Sequence, residues 1–443
     1  MENLSVDRLA DVSFQQLLGS RYLQPAFQPI VELASARTVG VEALARWPEL
    51  GLTPDQAFEW AGRLGRMSEL DAACRNAAID TALAHGIPEH FALFVNLEPS
   101  AMTADSARQL TLRTRGELTL VAEITERALT TRPAELLQTI HGLSAAGCVV
   151  ALDDVGAEPD SLALLPLIAP DVVKLDISLV RKWPDTRQGA ILAAVSTYAE
   201  RTGAIILAEG VEDEKDLEQA LALGATLAQG WYFAHPGPLR DFEAPARVLF
   251  APHSPVLTPS TPFSAVDSSK THVAKKGLLV GISHHLESQG ASLETPPVIL
   301  STFQKVERFT SPTLTRYSSL AQRCPLIAAL GEGMTAEPAP GVRGVELSSD
   351  DPLVDEWVVA VVGTHYHGAL IARDLGDEGS LADPDRHFSY IVTHDSDTVL
   401  AAARSLLQRV VPREPSSSRD QEFDTDNDAE ATRRSREGWF HSQ

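Results

Sequence analysis

Short apolar runs, each closing on a polar residue and most followed by a longer amphipathic stretch, alternate along the first half of the chain. The run "VVALDD" at 149–154 is representative. Four consecutive apolar residues suit a strand covered on both faces, as in a parallel α/β sheet, and the run ends in adjacent carboxylates, Asp153 and Asp154. The same pattern predicts strands over Ala26–Ile30, Val39–Ala43, Ala92–Leu97, Leu118–Ile124, Val149–Asp153, Val172–Ile177, Ala204–Ala208 and Thr226–Gln229. Helical periodicity predicts helices between most of them, over Asp71–His85, Pro133–Ala146, Arg187–Thr202 and Glu214–Leu223. About eight strands with crossovers inside residues 21–250 point to a (β/α)8-type barrel. Periodicity alone leaves a doubly wound open sheet as the alternative.

Composition divides the rest. Residues 251–276 are crowded with Pro, Ser and Thr without an apolar period and read as a linker. Residues 413–443 are polar, of mixed charge and poor in apolar side chains, the composition of a disordered tail. Between them, 277–412 reads as a smaller mixed α/β domain. Its expected helices are Leu278–Leu286 and Asp397–Arg409, and its strands lie near Val298–Phe303, Trp357–Val362, Gly368–Arg373 and Phe388–Thr393. Residues 1–20 form a short lead-in.

Read toward their C-terminal ends, the strands of the first unit carry Gln28, Glu42, Asn96, Glu123, Asp153 with Asp154, Lys174 with Asp176, Glu209 and Gln229. In a parallel barrel such ends converge on one mouth, where the active sites of that fold sit. Carboxylates this close repel one another unless cations hold them together, so a metal centre is the natural resolution. Oxygen donors favour Mg2+ or Mn2+ over zinc. A single Asp after a strand is commonly just the N-cap of the next helix; two in tandem beside other strand-end acids are not explained that way. Lys174, inside the apolar "VVKLDISLV", is seldom left unpaired in such a setting, and an ion pair with Asp176 is its plain structural reading. Glu209 and Glu212 can equally be first-turn acids of a helix. His365 and His367 in "THYHG" would share a face if this is a strand, and His284 and His285 are adjacent; neither pair makes a metal site.

The bulk numbers narrow the chemistry. With a formal charge of −23 over 443 residues, the chain is not a general binder of duplex nucleic acid. An anionic ligand remains compatible where divalent cations lie between it and the carboxylates. Three scattered cysteines form no metal spacing or disulfide framework. No stretch reaches the ~20 apolar residues of a membrane span, and the start lacks a basic, apolar-cored signal. A cytoplasmic protein is expected.

The motifs "FQPIV", "VEALARW", "VNLEPS", "EITE", "LDDVG", "VKLDISLV", "AEGVE" and "QGWYFAHP" follow one another in an order and spacing that resembles the EAL domain over about 21–250. The resemblance implies a modified (β/α)8 barrel that hydrolyses cyclic di-GMP to linear pGpG with two Mg2+ or Mn2+ ions, within a homodimer formed through the barrel. It implies roles residue by residue. Glu42, Asn96, Glu123 and Asp153 match the ligands of one metal, and Asp153 bridges to a second held with Asp154 and Asp176. Lys174 and Glu209 position or activate the attacking water, with Gln229 and Glu42 assisting. Gln28, Leu44, Arg46 and Asp153 match substrate contacts. Glu126 and Glu212 match acids that brace the loop after Asp154 and the metal ligands.

The chain departs from the family after the paired aspartates. Where the family usually has Phe-Gly-Thr-Gly-Tyr, this sequence has Val155, Gly156, Ala157, Glu158 and Pro159, so the aromatic is lost and a proline enters. The implied ligands are retained, which favours an enzyme with altered rate or regulation. The alternative is a receptor that binds cyclic di-GMP without cleaving it. The segments "RFTSPTLTRYSSLA", "DDPLVDEWVVAVVG", "ALIARD" and "LLQRVVP" resemble the DICT domain, a presumed sensory module, over about 277–412. An unidentified small ligand or protein is the partner this implies, with Arg316, Tyr317, Trp357 and Asp374 either lining a site or serving as core and pairing residues.

Overall fold

Eight strands close into a barrel in sequence order, β1 (Gln24–Glu32), β2 (Arg37–Arg46), β3 (Ala92–Asn96), β4 (Thr119–Thr125), β5 (Val149–Val155), β6 (Val172–Leu175), β7 (Ile205–Ala208) and β8 (Leu227–Ala228). The computed structural model describes residues 13–99, 102, 104–114, 118–125, 130–156, 159–176, 178–179, 186–245, 247–250, 258–376 and 383–412. Residues 1–12 of the expected lead-in 1–20, the whole of the expected tail 413–443, Glu126, and residues 157–158 of the rewritten loop lie outside these.

The barrel is closed, so the open-sheet alternative falls. It is not uniformly parallel. β1 runs antiparallel to both its neighbours, β2 and β8, while β2 through β8 are parallel. Reading β1 toward its C-terminus therefore points to the wrong end. Gln28 belongs to the mouth because it pairs with Glu42, and Gln24 at the start of β1 pairs with Arg46 at the end of β2. A short turn joins the two strands, and a hairpin dictates antiparallel pairing.

Alternation sorts the side chains. Ile30, Val39, Ala92, Phe94, Val121, Val149, Ala151, Val172, Leu207 and Leu227, from all eight strands, meet in one apolar cluster that only the barrel interior can accommodate. Phe250 joins it, its ring 5.5 Å from that of Phe94. The next inward positions, two residues further on, are Asn96, Glu123, Asp153, Lys174, Glu209 and Gln229. The polar mouth is thus the layer above an apolar floor. Glu42 lies three residues after the inward Val39, which strict alternation forbids. The β1–β2 register slips between Ile30 and Val31 and leaves Val39 as an extra residue, and this bulge restores the inward parity of Glu42.

Around the strands pack α1 (Phe14–Leu18), α2 (Pro54–Arg63), α3 (Met67–His85), α4 (Ala104–Thr114), α5 (Pro133–Ala145), α6 (Leu165–Ile168), α7 (Thr186–Thr202) and α8 (Glu214–Ala222). Thr53 caps α2 through the Gln56 amide, and Asp213 caps α8 through the Asp216 amide. No helix among the described residues is long and apolar enough to cross a membrane.

A smaller α/β domain follows. Its mixed seven-stranded sheet comprises β9 (His272–Lys275), β10 (Val298–Lys305), β11 (Ile327–Glu332), β12 (Arg343–Glu346), β13 (Glu356–Val362), β14 (His367–Asp374) and β15 (His387–Thr393), in the order β12-β11-β10-β13-β14-β15-β9. Helices α9 (Lys276–Ser292) and α10 (Ser311–Ala321) cover one face, and α11 (Ser396–Leu407) covers the other. With both faces covered, β13 reads as a nearly continuous apolar run after Glu356, and β10 opens on three apolar residues, Val298, Ile299 and Leu300. The expected linker needs correction. Beyond 251–257, which lie outside the described residues, the stretch is built into this domain: Thr261 caps a 3-10 turn, the Phe263 amide donates to Glu356, and β9 pairs with β15. Its composition is low in apolar residues because β9 is an edge strand with mostly exposed side chains. His365 lies exposed before β14 and His367 lies buried at its start, so the two share no strand face.

Candidate active site

Lys174 is the hub of the barrel mouth. Only 1% exposed, its ammonium lies 2.5 Å from Glu123, 2.7 Å from Glu209, 2.8 Å from Asp153 and 3.9 Å from Glu42. The expected pairing with Asp176 is not the one adopted. Asp176 instead accepts the Ser178 amide at 2.7 Å, capping the turn that leaves β6. Burial opposes the charge on Lys174, but Glu123, Glu209, Glu42 and Asp153 outweigh it and hold its pKa well above the usual lysine value. Burial, reinforced by the Glu42 and Asp153 carboxylates against the pull of Lys174, raises Glu123 well above the carboxylate range. Burial likewise pushes Glu209 up to about 8, with Lys174 opposing and Asp153 and Glu42 adding to the rise. One ammonium does not neutralise this many acids.

The opposite wall is a hydrogen-bonded chain. Gln229 Nε2 donates to Gln28 Oε1 at 3.0 Å and to Glu42 Oε2. Gln28 Nε2 donates to the Ala234 carbonyl at 3.1 Å, and Asn96 Nδ2 reaches Glu42 Oε1 at 3.5 Å. Gly230 makes this wall possible. Its φ is +154°, and an added Cβ would run into the backbone of Val211, whose N–H donates to the Gln229 carbonyl.

Asp153 and Asp154 are consecutive, so an ordinary strand would send them to opposite faces. They do not separate, because β5 bulges against β6 between Leu152 and Val155 and Asp154 takes a left-handed φ of +57°, a conformation that Asp tolerates better than most residues. Oxygens of Asp153, Asp154 and Glu209 can then all lie within 4.8 Å of one another. This donor set suits a hard divalent cation. So does the buried Glu123 Oε2, which has no hydrogen-bond partner among the described residues. Asp176 is not part of this convergent group.

Beside the acids opens a cleft of about 370 Å³, lined in part by Leu44, Arg46, Phe58, Met67, Asn96 and Glu98. Arg46 donates to the Ala45 carbonyl at 2.9 Å. Two further lining residues, Asp71 and Arg75 on α3, are missing from the sequence expectations. They form a buried ion pair four residues apart, and Asp71 Oδ1 accepts the Glu98 amide at 3.1 Å. Their signal was available: both fall among Leu70, Ala78 and Ile79 on the buried face of α3, where charges need a reason. Glu212 is exposed on the segment after β7, with its amide held by Asp216. Val155, where the family has an aromatic, is buried in the core and pairs with Leu175.

In the second domain, Tyr317 is fully buried, with its hydroxyl on Glu287 at 2.9 Å and on Ser301 at 2.7 Å. Arg316 pairs with the same Glu287 at 2.5 Å. Asp374 pairs with buried Arg386, and Trp357 meets Phe388 edge-on. These four serve as core and pairing residues.

A closed barrel with an antiparallel first strand and a mouth of carboxylates around one lysine defines an acid-lined, cation-competent α/β barrel. Residues 11–236 match the family model described as EAL domain, and the chain belongs to that family. Residues 259–375 match the model described as sensory domain in diguanylate cyclases and two-component system. The chain is 31% identical over 228 residues to the cyclic di-GMP phosphodiesterase RocR of Pseudomonas aeruginosa, covering 49% of this chain and 58% of that protein. It is 33% identical over 233 residues to the probable cyclic di-GMP phosphodiesterase PdeG of Escherichia coli K12, covering 50% and 46%. The chain thus spans about half the length of these relatives. A solved structure of Klebsiella pneumoniae BlrP1, a manganese/cy-diGMP complex at pH 9.0, aligns with TM-score 0.43 and 30% identity, covering 48% of this chain and 56% of that one.

Proposed function

We propose that the barrel hydrolyses cyclic di-GMP to linear pGpG with two divalent cations, Mg2+ or Mn2+, and that the C-terminal domain tunes this activity. The observation that carries it is the convergence of Glu42, Glu123, Asp153 and Glu209 on a single ammonium, with Asp154 grouped beside Asp153 and Glu209, next to a cleft that has room for a nucleotide. Glu42, Asn96, Glu123 and Asp153 would hold one cation. Asp153 and Asp154 would hold the second, with Glu209 in the place first expected for Asp176. Bound there, such cations supply Lewis acidity and a more acidic water for phosphodiester cleavage. Lys174 keeps fixed positive charge where negative charge grows on the phosphorus oxygens. Gln229 and Gln28 fix the Glu42 carboxylate, while Arg46 and Leu44 offer a cationic and an apolar contact to the dinucleotide. Glu126 and Glu212 complete the proposed set as bracing acids. A cytoplasmic homodimer through the barrel is part of this reading. Since α11 packs against α5 and α6, the dimer would use other helices.

The loop after Asp154 favours one rival, a receptor that binds without cleaving. Incubating the full chain with cyclic di-GMP and Mg2+ or Mn2+, with chromatography for pGpG and calorimetry for binding, separates the two. Cation-dependent pGpG supports the enzyme. Saturable binding without product means a receptor, and the absence of both product and binding overturns both readings.

A further inference from the structure

The second domain grips the barrel with two buried arginines, and both grips land on backbone that leads from the acid-bearing strands. Arg404, on α11 and 7% exposed, donates from Nε to the Leu167 carbonyl at 2.9 Å and from Nη2 to the Pro166 carbonyl at 2.6 Å. These carbonyls belong to α6, which has few partners of its own for them. The segment 156–171 leaves β5 at the paired aspartates and returns to β6 at Lys174. Arg404 holds its middle, and Asp171 ties its far end back to β5 through Val150 N at 2.7 Å. Arg343, at the start of β12 and 8% exposed, donates to the Thr130 carbonyl at 2.6 Å and the Thr131 carbonyl at 3.1 Å. Those residues lie on the segment that leaves β4 just beyond Glu123. Its Nη2 also reaches the Val411 carbonyl beyond α11, so the two grips are joined.

Burying a guanidinium is costly where no carboxylate offsets it. Arg404 has no carboxylate within ion-pair distance among the described residues, and burial lowers its pKa to about 10. Apolar packing would have sufficed for adhesion alone, and it is present: Leu400, Ala403, Leu406 and Leu407 of α11 belong to the same core cluster as α5 and α6. A planar fork on consecutive carbonyls adds direction, because it fixes where the backbone lies.

We propose that Arg404 and Arg343 are positioning residues through which the second domain sets the placement of the acids on β4 and β5. Displacing α11 relative to the barrel moves the segments that carry Glu123, Asp153 and Asp154. This rests on the reading that the second domain tunes the barrel, and it names the contacts that do so.

The test uses the full chain with Arg404→Met, Arg404→Lys, Arg343→Met and, as control, Arg409→Met. Arg409 pairs with Asp351 and Ser260 inside the second domain. The readouts are kcat and KM for cyclic di-GMP, a Mn2+ titration, and backbone hydrogen exchange over 149–156 and 165–176. Arg404→Met and Arg343→Met should each lower kcat/KM roughly tenfold, a usual size for coupling between sites. They should also weaken Mn2+ binding and speed exchange in both stretches. Arg404→Lys, which keeps the charge but not the fork, should recover part of the loss. Arg409→Met should lower Tm while leaving kcat/KM within about twofold. Equal losses in Arg409→Met, or arginine variants that lose only Tm, would overturn the proposal. Should the wild-type chain bind cyclic di-GMP without turnover, the enzymatic reading fails, and exchange and Mn2+ affinity still decide the coupling.

Discussion

Replacing Lys174 with Met removes the ammonium at the centre of the acid cluster while nearly preserving its volume. Three carboxylates then lose an ammonium at 2.5–2.8 Å and a fourth loses it at 3.9 Å. Breaking a buried ion pair by deleting one partner costs about 3–5 kcal/mol, and several partners at hydrogen-bonding distance argue for the upper end. For a domain of this size each kcal/mol is worth roughly 2–4 °C in Tm, so Lys174→Met should melt about 10–20 °C below wild type in metal-free buffer. Divalent cations supply the missing positive charge, so Mg2+ should narrow that gap. Turnover should stay depressed by about 10²–10³, the usual cost of losing one preorganised electrostatic contact. Thermal unfolding by circular dichroism with EDTA or Mg2+, and pGpG chromatography on the same samples, measure both. A variant as stable as wild type in EDTA would refute the argument that Lys174 holds these acids together. Full turnover would refute its electrostatic role.

Glu42→Ala should abolish pGpG formation while keeping the fold, because it removes an expected cation ligand and also relieves repulsion at Glu123; chromatography with a circular dichroism control checks both. Gly230→Ala should cost about 2–4 kcal/mol, combining overpacking against Val211 with backbone strain, and should weaken cyclic di-GMP binding in calorimetry by displacing Gln229. His367 is buried with Nε2 unpartnered among the described residues, and its pKa is lowered to about 4 by burial, Arg201 and Arg404, against Gly363 and Asp397. Between pH 4 and 6.5 the unfolded chain binds a proton there that the folded chain does not, so stability falls as pH drops through this window. The loss reaches roughly 1–2 kcal/mol at pH 5 once partial solvent contact is allowed for, and Tm compared at pH 7.5 and pH 5 should fall less in His367→Leu than in wild type.

Much of the barrel was legible because its code is local. Ala92, Phe94 and Asn96, or Val149, Ala151 and Asp153, alternate with residues that face the helices, and a period of two shows which polar groups share a layer. Three features escaped this reading. The direction of β1 depends on a hairpin and on which end of a strand meets the mouth. Helix α3 hid Asp71 and Arg75 inside a helical pattern whose buried face becomes a cleft wall only when the barrel closes. Edge strand β9 looked like linker because its exposed side chains carry no apolar period.

The eight-strand alternation, the acids at the strand ends and a second α/β unit are legible in the residues alone, since each follows from side-chain chemistry within a few positions. Tertiary structure decided the rest. Two bulges put Glu42 with Val39, and Asp153 with Asp154, on the same side of their strands, and a bulge is fixed by the neighbouring strand. Lys174 chose Glu123, Asp153 and Glu209 over Asp176 because the closed barrel brings those carboxylates to its ammonium, while Asp176 is taken by the Ser178 amide. The grip of Arg404 and Arg343 on 130–131 and 166–167 joins residues more than two hundred positions apart. Pairings at that separation have no local signature, because only the folded chain brings a guanidinium and a carbonyl together out of water.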